Sequence, residues 1–160
     1  MRKAFVISLG AGVALALAVA SVAAADPPTR SFSPQGPFSG SFCPNFDLGI
    51  TPLNNQEYFI TFSGGAHAVI TTGRIDAQVT NLSNGKSVVL NISGPGFLSS
   101  DGNIVVFGGL SLILLPPDFL YPGSPPTAFL NSGTVTFDFS GVPVIMTQTG
   151  HMTDLCAELA

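Results

Sequence analysis

Residues 73–94, GRIDAQVTNLSNGKSVVLNISG, alternate apolar and polar side chains on both sides of one turn signal. Ile75, Ala77 and Val79 share one face of an extended chain, while Arg74, Asp76, Gln78 and Thr80 share the other. On the return, Val88, Leu90 and Ile92 alternate with Ser87, Val89 and Asn91. A period of two does not suit a helix, so this stretch predicts an antiparallel hairpin with one buried and one wet face. Asn84-Gly85 predicts a tight turn built on positive φ angles.

The same pattern recurs. GFLSS and NIVVFGGL predict a second hairpin joined through Asp101-Gly102. GTVTFDFSG places Val135, Phe137 and Phe139 inward, and VPVIMTQTG returns after Gly141. FDLGITP, EYFITFSGG and AHAVITTG read as three further strands, and TDLCAEL as a helical turn. Seven to nine short strands joined mainly by tight turns predict an all-β domain. A small antiparallel barrel-like meander suits the sequential hairpins, with closure removing exposed edges; a two-sheet β-sandwich is the alternative.

Residues 1–25 start with Arg2 and Lys3, run apolar from Ala4 to Ala20 and reach Ala23-Ala24-Ala25. They read as a secretory signal peptide cut after Ala25, in preference to an uncleaved anchor, because the run is short and rich in Ala and Gly. Residues 26–40, DPPTRSFSPQGPFSG, read as an extended leader ahead of a single domain over 41–160. Cleavage would leave about 135 residues, enough for one core. These carry three basic residues, Arg30, Arg74 and Lys86, against nine acidic ones. With so few cations there is no electrostatic footprint for a nucleic acid partner.

An exported chain with two cysteines, Cys43 and Cys156, is expected to bridge them. The alternative, a reactive thiol, needs a cationic or basic neighbour, and Cys156 is followed by Ala, Glu, Leu and Ala.

Residues 111–133 break the pattern with five prolines and a concentration of apolar side chains. Leu112, Ile113, Leu114, Leu115, Phe119, Leu120, Tyr121, Phe129 and Leu130 must be buried or presented to something. Read as a long connection, the segment either plugs one end of the domain or forms a rim around an apolar cavity or a partner-binding surface.

Reactive constellations are sparse. His67 and His151 are the two histidines, and with oxidised cysteines they supply too few ligands for a zinc site, so neither metal nor cofactor is expected. No G-x-S-x-G elbow is present, and Gly94-Pro95-Gly96 lacks the lysine and the βαβ setting of a phosphate loop. Glu57, Asp76, Asp138 and Asp154 are the carboxylates that a glycosidase-type pair would draw on, although scattered acids on strands are ordinary solvated surface. Asn81-Leu82-Ser83 and Asn91-Ile92-Ser93 match the glycosylation acceptor pattern but occupy positions where a hairpin needs polar residues anyway.

SFCPNFDLGIT, TNLSNGKSVVLNISGPG and GHMTDLCAELA, with the export signal, resemble a group of small secreted actinobacterial β-proteins with a cysteine near the start of the domain and a terminal D-x-C-A segment. The resemblance implies secretion, an all-β fold and Cys43–Cys156 pairing, and no particular activity.

The expectation is therefore a secreted or envelope-associated, non-enzymatic β-domain that binds an apolar ligand or a protein partner. The alternative is a small barrel enzyme of isomerase or cyclase type acting on a hydrophobic substrate, with His67 or His151 and a buried carboxylate lining its interior. A third reading is an adhesion module whose interior is filled by Phe62, Phe107, Phe137 and Phe139.

Overall fold

A computed structural model describes residues 26–64 and 67–160; the expected signal peptide, residues 1–25, lies outside the described residues. The described residues form ten strands and one short helix: β1 (Thr29–Phe32), β2 (Phe38–Cys43), β3 (Phe46–Thr61), β4 (His67–Asn81), β5 (Ser87–Asn91), β6 (Gly96–Ser99), β7 (Ile104–Leu115), β8 (Thr127–Asp138), β9 (Val144–Gln148), β10 (His151–Asp154) and α1 (Leu155–Leu159). All pairings are antiparallel within one sheet, so the all-β expectation holds. The sheet runs β1-β3-β4-β6-β7-β8-β10 and ends at β1 and β10 rather than closing. Along three long strands the neighbour changes partway. β3 takes β1 at one end and β2 at the other, β4 takes β6 and β5, and β8 takes β10 and β9.

Several strands are longer than the alternation predicts. FDLGITP and EYFIT join into the single strand β3, because the irregularity between Pro52 and Asn54 is a bulge rather than a break. Proline lacks an N–H for the ladder, and a bulge is where a sheet tolerates that loss. AHAVITTG and GRIDAQVTN likewise form one strand, β4, through Gly73 at φ 130°, where a Cβ would run into the Gln56 carbonyl.

Three expectations need correction. The leader does not stand ahead of the domain: Thr29–Phe32 pairs with residues 58–61 of β3, and β2 starts at Phe38. Four-residue strands between prolines carry too few alternating positions to register as a period. Residues 111–133 are not one long connection either, because β7 runs on to Leu115 and β8 begins at Thr127. The turn after β4 is also looser than a two-residue hairpin. It spans residues 82–86, and Gly85 alone takes a positive φ, while Asn84 works through its side chain, accepting from Lys86 N–H.

The core has two parts. In the first, Leu48, Ile50, Ala77, Val79 and Leu90 of β3–β5 meet Ala128 and the α1 residues Leu155 and Leu159, with Leu112, Leu114 and Leu130 packed against them. Asp154 caps α1 by accepting from the Cys156 and Ala157 N–H groups, so that Leu155 and Leu159, four residues apart, both face inward. The Cys43–Cys156 disulfide, with Cα atoms 5.5 Å apart, ties α1 to the end of β2.

The second part joins Ile113 and Leu115 to Val135 and Phe137. In register Phe107 lies opposite Val135, six positions from Ile113, roughly 20 Å along a straight strand. Contact between these groups requires the β7–β8 hairpin to bend, and the paired Gly109 (φ 64°) and Gly133 supply the place. A Cβ on Gly133 would run into the Thr149 carbonyl, so the close approach of the β9–β10 link to β8 excludes a side chain there.

Candidate functional site

One face of the sheet carries an apolar groove made of two adjoining concavities of about 300 and 520 Å³. Phe59, Thr71, Gly96 and Phe107 line both, so the two form one continuous depression. Strand geometry explains the lining. On β4 the odd positions Val69, Thr71, Ile75 and Ala77 share one face. On β3 the bulge resets the alternation, so Ile50 and Pro52 before it and Glu57, Phe59 and Thr61 after it contribute to the same side. Phe38, Leu112 and Leu114 close the deeper concavity, and Ser31, Leu98 and Val105 the shallower one.

One end of the groove is polar. Glu57 Oε2 accepts from Ser33 Oγ at 3.1 Å and from Gln35 Nε2 at 3.4 Å, and Gln35 also donates to Ser33 Oγ at 3.1 Å. Ser33 is fully buried; its N–H donates to the Glu57 carbonyl at 3.0 Å and its carbonyl accepts from Asn55 Nδ2 at 2.8 Å. The segment between β1 and β2 is thus fastened onto β3, with the half-buried Glu57 at the centre of the network. Among the described residues that line the groove, Glu57 alone is ionisable, and its Oε1 has no partner among them.

The apolar residues of 111–133 divide between several environments. Leu112 and Leu114 reach the groove and the first core, and Leu130 packs on that core. Ile113 and Leu115 are buried in the bend, where Phe119, Leu120 and Phe129 pack against them. Tyr121 stands apart at 55 % exposure. A third hollow of about 340 Å³ inside the bend is flanked by Phe107, Phe119, Phe137 and Phe139, which make edge-on and stacked ring contacts with centroids 6.0–6.1 Å apart. Phe107 lines this hollow and both parts of the groove, and Leu112 and Leu114 on the deeper side and Val105 on the shallower side are shared as well, so the hollow adjoins the groove.

The carboxylates considered for acid–base work are held in separate local roles. Asp76 pairs with Arg74 at 2.9 Å, Asp138 accepts from the Ser140 N–H at 2.7 Å, and Asp154 caps α1. His151 is exposed on β10, and the His67 side chain lies outside the description. Among the described residues no three His, Cys, Asp or Glu side chains gather as metal ligands, and no helix is long and apolar enough to cross a membrane. Asn81 and Asn91 serve the hairpin, accepting from Ser83 N–H and Ser93 N–H.

Residue reading from the sequence missed Ser31, Ser33, Gln35 and Phe38, which sit in the Pro-rich stretch, and the junction Phe59, Thr71 and Gly96. The usable signal was Phe59 and Thr61 on one face of EYFIT, two residues beyond an acid on that same face. Compared with protein-family models, curated proteins and solved structures, the chain matches none.

Proposed function

We propose that this protein is a secreted or envelope-associated binding domain, not an enzyme, and that it takes a small apolar molecule into the groove between β3, β4 and β7. The observation that carries this reading is the continuity of the two concavities through Phe59, Thr71, Gly96 and Phe107. Their volumes fall in the range of small-molecule sites, which are concave, mostly apolar and furnished with a few polar groups. The disulfide supports residence in an oxidising compartment. Membership of the small secreted actinobacterial β-proteins belongs to the same proposal and rests on Cys43, Cys156 and the β4–β5 hairpin.

Native mass spectrometry of the protein recovered from its own producer cells, without denaturant or reductant, tests this. An adduct of defined mass that is lost on denaturation is the expected result. A clean apo mass, together with failure to bind any uncharged apolar dye, overturns it. The competing reading is a protein-binding module acting through β9, whose Val144, Ile145 and Met146 are all exposed. Substitutions inside the groove would leave that activity intact.

A further inference from the structure

The groove's charge arrangement specifies more than an apolar body. Its single ionisable lining group among the described residues is Glu57, an acceptor when ionised, with Oε2 taken by Ser33 and Gln35 and Oε1 open. The three basic residues of the described chain are engaged elsewhere. Arg30 lies 3.8 Å over the Tyr58 ring, Arg74 pairs with Asp76, and Lys86 donates to the Ala160 main-chain oxygen. The carboxylate therefore sits beside an apolar groove without a counter-ion among the described residues.

A half-buried carboxylate of this kind favours a cation or a hydrogen-bond donor and repels an anion. We infer that the ligand is an amphiphile with a protonated amine head, the head on Glu57 and the apolar body along Phe59 and Phe107. The inference rests on the groove reading above and adds the head-group class to it. Fatty carboxylates and phosphate-headed lipids are disfavoured by the same charge.

The test is competition against Nile red, an uncharged dye, on the intact protein at pH 7, using octylamine, octanol and octanoate. These share a tail and differ in the head. Octylamine should displace the dye at about one-tenth the concentration of octanoate, with octanol between them. In Glu57→Gln, which keeps the size of the side chain and an acceptor oxygen for Ser33 and Gln35 but removes the charge, the amine and carboxylate should fall within about twofold of each other.

If all three displace the dye equally from the wild type, the head-group inference is wrong while the groove reading stands. If the amine preference survives in Glu57→Gln, the assignment to Glu57 is wrong. If the dye does not bind at all, the groove reading itself fails. The wild-type ratio decides the head-group class even if the variant does not fold.

Discussion

The side-chain amide of Asn81, at the end of β4, donates to the main-chain oxygen of Leu159 at 2.9 Å across 78 residues of sequence. Asn81 is buried, and its Oδ1 accepts from the Ser83 N–H at 2.8 Å, so the residue joins its own turn to α1. Asn84 Nδ2 reaches the same Leu159 oxygen at 3.2 Å from a more exposed position. Removing a buried donor costs more than removing an exposed one, because solvent replaces only the latter. Asn81→Ala should lower the unfolding free energy by about 2 kcal/mol and Asn84→Ala by less than about 1 kcal/mol. Urea titrations of both variants check this, and equal losses would show that burial does not set the cost.

The same terminal segment is held covalently. The Cys43–Cys156 bridge closes a loop with a sequence separation of 113. A loop of that size constrains the unfolded chain strongly, so the Cys43→Ser/Cys156→Ser double variant should lose about 3 to 5 kcal/mol. Reductant should lower the wild-type urea midpoint and leave that of the double variant unchanged. A wild-type midpoint insensitive to reductant would show that the bridge does not contribute.

The β4–β5 and β6–β7 hairpins and the β8–β9 return are legible in the sequence because their apolar residues recur every second position between turn signals. Val135 and Phe137 point inward as the alternation predicts. The groove was not legible, for a definable reason. Its polar end comes from Ser33 and Gln35, whose place is fixed by hydrogen bonds to Glu57 over 20 residues away. Nothing local in DPPTRSFSPQGPFSG encodes that pairing. The apolar run SLILLPPDFLY reads as part of one connection because a strand presenting apolar side chains to two cores loses its alternation, with Leu112 and Leu114 serving one core and Ile113 and Leu115 the other.

Asn131 on β8 lies opposite Ser111, is fully buried, and has no hydrogen-bond partner among the described residues for either side-chain polar atom. An amide in that position costs desolvation without a compensating bond. Asn131→Leu, which keeps four side-chain heavy atoms with the same branching at Cγ, should raise stability by about 1 to 2 kcal/mol. Chemical denaturation of this single variant is sufficient. A fall instead would mean that the amide makes a bond that leucine cannot replace.

Acid should weaken the end of the β7–β8 hairpin. The Ser140 side chain and then its N–H hold the Asp138 carboxyl below its ordinary range, and Ser99 followed by the Asn103 N–H does the same for Asp101. A folded pKa below the unfolded one gives stability that is present above the ordinary carboxylate value and lost as pH falls through the folded value. The wild type should therefore lose stability as pH falls below about 4, and Asp101→Asn/Asp138→Asn should lose less over the same interval. Asp101 is exposed and Asp138 only partly buried, so the difference will be small. Urea midpoints at pH 5 and pH 3 measure it, and parallel pH profiles for the two proteins would dismiss a role for these turns.

Thr71 stands where the two concavities meet, with Phe59, Gly96 and Phe107 around it. Gly96 lies opposite it in the β4–β6 ladder and offers no side chain to obstruct the passage. Thr71→Trp should place an indole across this junction and fill the depression rather than the core, since Thr71 is only half-buried. Binding of an uncharged apolar dye should fall at least about tenfold, while the urea midpoint moves by no more than an ordinary surface substitution, under about 1 kcal/mol. Leu53→Trp is the control, because Leu53 is on the same strand as Phe59 but 54 % exposed and outside the groove lining. Loss of dye in Thr71→Trp and its retention in Leu53→Trp locate the site at the junction. Equal retention in both would move binding away from the groove, towards the hollow in the β7–β8 bend or the exposed face of β9.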